Sequence, residues 1–316
     1  MQAAQTILDN LREHNQYLRE FPAGQQSAYF EHLIAQALSH VLHLPFYTRD
    51  NDDASVSHRV VWLGSINNVS KAPQGPDAVA YAYGYSILIE PTLKTGTRQW
   101  TQEFGPCCEH YEEFVVAKNL DRSSVYLLMI APELNGRTWE SVRSVNLNIV
   151  LMELITLTII LETSILACTM RHIEVQRLFT DLRGYLGSSR SLPDFREEAK
   201  NCVTKWQKDV LQTERITFVG VKSYETIRRI GRRFVSSGEI FQSLRGDPAV
   251  EGYVAISGGE RLGSNEIEQG LLQLSLGYPL GKTPQGEALF SPVPLTDFKN
   301  REKRLVKLVE EINEQF

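Results

Sequence analysis

Residues 75–110 read GPDAVAYAYGYSILIEPTLKTGTRQWTQEFGPCCEH, and this stretch decides the fold. Its run 78–89 is rich in Tyr, Ile, Val and Leu, with Gly84 near the middle. That pattern predicts two strands turning tightly on each other. Asp77 follows Pro76 at the start of the first strand, and Glu90 ends the second. Side chains alternate along a strand, so neighbouring strands can bring two carboxylates from separate backbone positions to one face of a sheet. Pro91 argues against Glu90 being interior to a longer central strand. Thr97 is placed to cap a helix through Glu103, with Gln99 and Glu103 four residues apart on one face. Gly105-Pro106 is read as the end of that helix, with Pro106 in the first turn of the next, 106–118, which carries His110. The stretch thus gathers four side chains that handle metal or protons: Asp77, Glu90, Glu103 and His110.

On the N-terminal side, residues 2–20 and 26–44 have apolar positions at helical spacing, and 58–63 is a short strand. On the C-terminal side, 124–131 is a continuous apolar run, as in a strand buried on both faces. A helix at 138–145 follows. The apolar run 148–170 is long enough to span a bilayer but contains Glu153 and Glu162, which hydrocarbon would penalise. It is read as a buried strand, 148–154, and a buried helix, 156–170. Strands alternating with helices predict an α/β fold, a mixed central β-sheet flanked by helices.

Residues 184–193, GYLGSSRSLP, lack periodicity and are read as a domain boundary, leaving domains at 1–183 and 194–316. Beyond it come helices at 194–212, 223–234, 236–244 and 264–274 and a hairpin at 278–294, the outline of a winged helix. A charged helix is expected from Asp297 on. The C-terminal domain is therefore expected to be mostly helical.

The chain has 316 residues, 42% hydrophobic and 22% charged, which excludes global disorder. No apolar run at the N-terminus marks a secretion signal. Cys107, Cys108, Cys168 and Cys202 form neither a disulfide framework nor a CxxC motif, the usage of a reduced, cytoplasmic protein. Cys107, Cys108 and His110 lack a fourth partner at a spacing that suits zinc. Net charge is −5, so any attraction for nucleic acid must come from a local patch. Residues 214–247 supply one, with seven basic residues against four acidic. At helical spacing Arg228, Arg229, Arg232 and Arg233 lie largely on the outer side of their helix, where arginines suit phosphate contacts. A plain solvated helix face explains the same pattern.

Phosphodiester hydrolysis needs an activated water and positive charge at the developing phosphorane. Mg²⁺ supplies both and prefers hard carboxylate oxygens and water. PD, then IEPTL with a QxxxE helix, resembles the PD-(D/E)XK nuclease superfamily. More narrowly, residues 89–110 resemble the cleavage domains of AlwI-type restriction and nicking endonucleases, including the spacings of 13, 13 and 7 residues between Asp77, Glu90, Glu103 and His110. The likeness runs over roughly 30–161. It implies Asp77 and Glu90 as Mg²⁺ ligands, Glu103 and His110 as further metal- or proton-handling site residues, Gln99 in support, and products with 5′-phosphates. A glutamate on the first core helix often joins such sites, which makes Glu31 a secondary candidate beside a plain surface role. Thr92 stands where the superfamily has its lysine, so Lys94 and His110 are the alternatives for that role.

The expected function is a Mg²⁺-dependent endonuclease acting on double-stranded DNA. A single site cuts one strand, so cutting both calls for a homodimer or a second nuclease subunit. Two alternatives stay open: a non-catalytic DNA-binding or assembly subunit with a nuclease-like fold, and a repair or mobile-element nuclease of the same superfamily.

Overall fold

The computed structural model describes residues 2–65, 75–167, 172–232, 234–258, 261–276 and 278–291. The chain divides into two compact units, one of Met1–Ile165 with Met170–Gln207, the other of Leu166–Thr169 with Lys208–Phe316.

The first unit is built on a mixed six-stranded sheet in sequence order. Its strands are β1 (Phe46–Thr48), β2 (Arg59–Trp62), β3 (Ala78–Tyr81), β4 (Ser86–Pro91), β5 (Val125–Ala131) and β6 (Ile149–Glu153). β2–β3–β4 is an antiparallel meander, while β1/β2, β4/β5 and β5/β6 are parallel pairs. β3 and β4 are the predicted hairpin, and Gly84 sits in its turn at φ 83°, a conformation glycine adopts without strain. Every residue of β5 is buried, as its unbroken apolar run requires.

Helices flank the sheet. α1 (Gln2–Arg12) and α2 (His14–Arg19) replace the single helix expected over 2–20, and both pack on α3 (Gln26–Val41), which covers the meander. α4 (Thr97–Gln99) does not use Thr97 as its cap. That position belongs to Gly96, at φ 59°. Nor does Gly105-Pro106 end a helix. The chain passes from α4 through a π turn, Trp100–Phe104, straight into α5 (Gly105–Lys118). Pro106 has no N–H to give to residue 102, and its ring crowds that carbonyl. The wider π turn relieves both problems. α6 (Gly136–Ser144), α7 (Leu154–Leu166) and α8 (His172–Ser188) complete the set, with α8 on β6. The apolar run after 148 is thus strand then helix, and among the described residues no helix is long and apolar enough to cross a membrane.

The stretch 184–193 is mostly helical. α8 runs through Ser188, and α9 (Leu192–Ile230) begins three residues after Ser189. α9 also joins the two helices expected at 194–212 and 223–234, and the division between the units falls inside it. Residues 213–222 have little helical appeal in isolation, but Phe218 and Val219 are buried and Gly220 lies against Gly270. Packing overrides local propensity there.

In the second unit, α9 is followed by β7 (Val235–Ser236), α10 (Ser237–Leu244), α11 (Pro248–Ser257), α12 (Ser264–Gln273), β8 (Tyr278–Lys282) and β9 (Ala288–Ser291). The sheet order β7–β9–β8 and the helix–strand–helices–hairpin connectivity are those of a winged helix with α11 added. A Cβ on Gly220 would lie 2.5 Å from the Gly270 carbonyl oxygen, so α9 and α12 meet backbone to backbone. Arg215 on α9 grips Glu266 on α12 with two hydrogen bonds, of 2.5 and 3.1 Å. The helix expected from Asp297 on lies outside the described residues.

Candidate active site

The β3/β4 register pairs Ala78 with Ile89. One step outward, that places Asp77 directly opposite Glu90, so the two carboxylates form a cross-strand pair. Their side chains are in hydrogen-bonding contact. Glu90 is 6% exposed. Burial is the largest cause pushing both carboxyls above the usual carboxylate range, and at Asp77 the charges of Glu90, Glu31 and Glu103 push the same way.

Glu90 is the hub. Its Oε1 lies 2.8 Å from His110 Nδ1, and this bond, ahead of the opposing effect of burial, raises the imidazole pKa. Glu103, in the π turn, is ion-paired with Lys94. Thr92 is buried, and its hydroxyl accepts the Lys94 backbone N–H at 3.0 Å. Thr92 therefore braces the turn that carries Lys94 to Glu103. Gln99 is 1% exposed. Its Nε2 donates to the carbonyls of Lys94 and Glu133 at 3.2 and 3.0 Å, and its Oε1 accepts from Asn135 N at 2.8 Å. The amide ties the β4 exit to the β5–α6 loop and is not itself a reacting group.

Glu31, on α3, belongs to the cluster and is not a plain surface residue. Burial, then Glu90 and Glu103, push its carboxyl up to about 7. The first-core-helix glutamate was its only sequence signal. Sequence gave no signal at all for Arg196, which binds Glu153 at 2.7 Å, Glu133 at 3.2 Å and the Leu134 carbonyl at 2.9 Å, partners 43 to 63 residues away. Cys107, also buried, adjoins the cluster. Burial and then the carboxylates hold its thiol protonated.

The donor set fits a hard cation. Among the described residues, four carboxyl groups, Asp77, Glu90, Glu31 and Glu103, gather with Lys94 and His110 as positive partners, and burial first, then mutual repulsion, raises the pKa of three of them. Among the described residues, no three His, Cys, Asp or Glu side chains form a ready metal cage. Mg²⁺ does not need one, since it keeps several waters and takes one or two carboxylates plus substrate phosphate.

The arginines predicted for DNA contact belong to the second unit. Arg228 and Arg229 are exposed at the end of α9, and Arg229 reaches Ser243 Oγ at 2.9 Å. Arg232 does not share their helix face. It follows the helix, beyond Gly231 at φ 72°, and pairs with Glu239. Arg233 lies outside the described residues.

Among solved structures, the chain is similar to the small subunit (R.BspD6I2) of the heterodimeric restriction endonuclease R.BspD6I, at 16% identity and a TM-score of 0.44, over 63% of this chain and 97% of that one. No match is found among curated proteins. Residues 7–160, which span Glu31, all six strands, Glu103 and His110, match the family model of the AlwI restriction endonucleases, so the resemblance read from the sequence holds across the site-bearing part of the chain.

Proposed function

We propose that this chain is a Mg²⁺-dependent endonuclease of restriction type that hydrolyses phosphodiester bonds in double-stranded DNA and leaves 5′-phosphates. The observation that carries the reading is the buried cross-strand Asp77–Glu90 pair, two touching carboxyls with further carboxylates beside them and His110 bonded to Glu90. Asp77 and Glu90 would hold the ion, with Glu103 and Glu31 at its margin. When bound, Mg²⁺ supplies charge neutralisation at phosphorus and a more acidic water. His110 fixes the Glu90 carboxylate through Nδ1 and holds a proton within reach of the site. Lys94, set beside Glu103 by Thr92, is the lysine that would offset charge developing on the phosphate. Arg228, Arg229, Arg232 and Arg233 are assigned to the DNA backbone, the partner for double-strand cutting to a second copy or a second nuclease subunit, and the working compartment to the cytoplasm.

The test is plasmid cleavage by the full chain with Mg²⁺, followed by sequencing of the ends. Wild type is expected to cut or nick at defined positions, and Glu90→Gln and EDTA to abolish it. Tight duplex binding without cleavage under any divalent ion would support the non-catalytic subunit instead. Cleavage confined to branched or end-bearing DNA would support the repair-type nuclease.

A further inference from the structure

The first unit holds a second concave feature, at the other end of its parallel strands. A recess of about 740 Å³ opens between the starts of β5 and β6, the α6–β6 loop, α5 and α8. The register sets Val125, at the start of β5, opposite Ser86, and Met129 opposite Glu90, so the recess lies about 13 Å along the strands from the Glu90 level. The volume is within the range of small-molecule sites.

Its lining is chemically one-sided. Arg122, Arg143 and Arg183 all contribute, and among the described residues no carboxylate does. Arg122 has an outside partner, Glu112, at 2.5 Å. Arg143 lies over the Trp139 ring at 4.6 Å and reaches the Gly187 carbonyl at 3.4 Å. Arg183 is exposed on α8, and its charge, like that of Arg122, is felt at the Tyr111 phenol. Three guanidinium groups contribute to one opening in a chain of net charge −5, a local positive patch that suits an anionic ligand. Planar guanidinium forks match phosphate oxygens in particular. The rest of the lining differs in kind: Tyr126, Val142, Leu147 and Leu186 are its apolar members, and Asn146 adds an amide. On α8, Gly184 and Gly187 leave open space where side chains would project.

We propose that this recess binds a small phosphate ester, a nucleotide, with Arg122, Arg143 and Arg183 on its phosphate and the apolar lining residues against its base. A 740 Å³ hollow suits a compact ligand better than the convex backbone of a duplex.

Isothermal titration calorimetry of the full chain in EDTA tests this with AMP, ATP, inorganic phosphate and a 12-base-pair duplex as probes. A nucleotide is expected to bind more tightly than inorganic phosphate. Arg183→Glu and the milder Arg183→Gln, both at an exposed helix position, should each weaken it about tenfold or more while melting like wild type. Arg190→Glu, an exposed arginine outside the recess, should leave the affinity unchanged. No nucleotide binding, binding indifferent to both Arg183 variants, inorganic phosphate equal to nucleotide, or Arg183-dependent binding of the duplex alone would each overturn the proposal.

Discussion

Replacing Glu31 by glutamine should make the metal-free protein more stable at neutral and mildly alkaline pH. The carboxyl is pushed from 4.5 to about 7 by burial and by Glu90 and Glu103. A group whose folded pKa is raised contributes stability that is fully present below its unfolded value. That contribution is lost as pH rises through the folded value. The window therefore runs from about pH 4.5 to about pH 7. At about 1.36 kcal/mol for each pH unit, the penalty carried at pH 8 is roughly 3 kcal/mol. Glutamine keeps the shape and removes the charge. For a unit of this size, 3 kcal/mol corresponds to a rise in Tm of about 6–12 °C. The assay is thermal unfolding of wild type and Glu31→Gln in EDTA at pH 5 and pH 8. The gain should be large at pH 8 and close to zero at pH 5. Saturating Mg²⁺ should raise the wild-type Tm at pH 8 and shrink the difference, because a bound cation offsets the same repulsion. A neutral or destabilising Glu31→Gln at pH 8 in EDTA, or an equal gain at both pH values, would refute the view that the cluster is strained by undercompensated negative charge.

Two further perturbations address the frame around the site and the second unit. Gln99→Leu should cost the first unit about 2–4 kcal/mol in urea denaturation, because it strips buried backbone groups of Lys94, Glu133 and Asn135 of their partner, and should lower cleavage in step. Gly220→Ala should destabilise the second unit by more than about 2 kcal/mol, since its Cβ would fall 2.5 Å from a backbone oxygen that cannot swing away. In a two-transition thermal melt, the unfolding step of the first unit should be unmoved.

The sheet was largely legible because its strands carry their signals locally. Residues 125–131 and 149–152 are unbroken apolar runs, and Gly84 marks the hairpin. Three-residue β1, half-buried throughout, has neither length nor alternation to announce it. The boundaries that failed did so because tertiary packing outweighed local chemistry. Gly105-Pro106 looks like a stop, yet a wider turn carries the helix past it. Residues 213–222 look like a break, yet the contact of Gly220 with Gly270 holds them helical. At the site, Asp77 and Glu90 could be paired from the hairpin alone, since an antiparallel register fixes who faces whom. Glu31 and Arg196 could not be placed in this way. Their partners lie 43 to 63 residues away for Arg196, and for Glu31 on β4 and in the π turn, so only the folded sheet brings them near.

The π turn between Gln99 and Gly105 sets a clock angle. Gln99 upstream is locked to two loops, and His110 downstream must point at Glu90. A regular helix advances about 100° per residue, so one residue more or fewer between these two anchors rotates the second by that much. The extra residue housed in Trp100–Phe104 is what lets both be satisfied at once. The imidazole's aim is therefore governed by a count of residues, and shortening the turn by one would misdirect His110 even if every side chain of the site were kept.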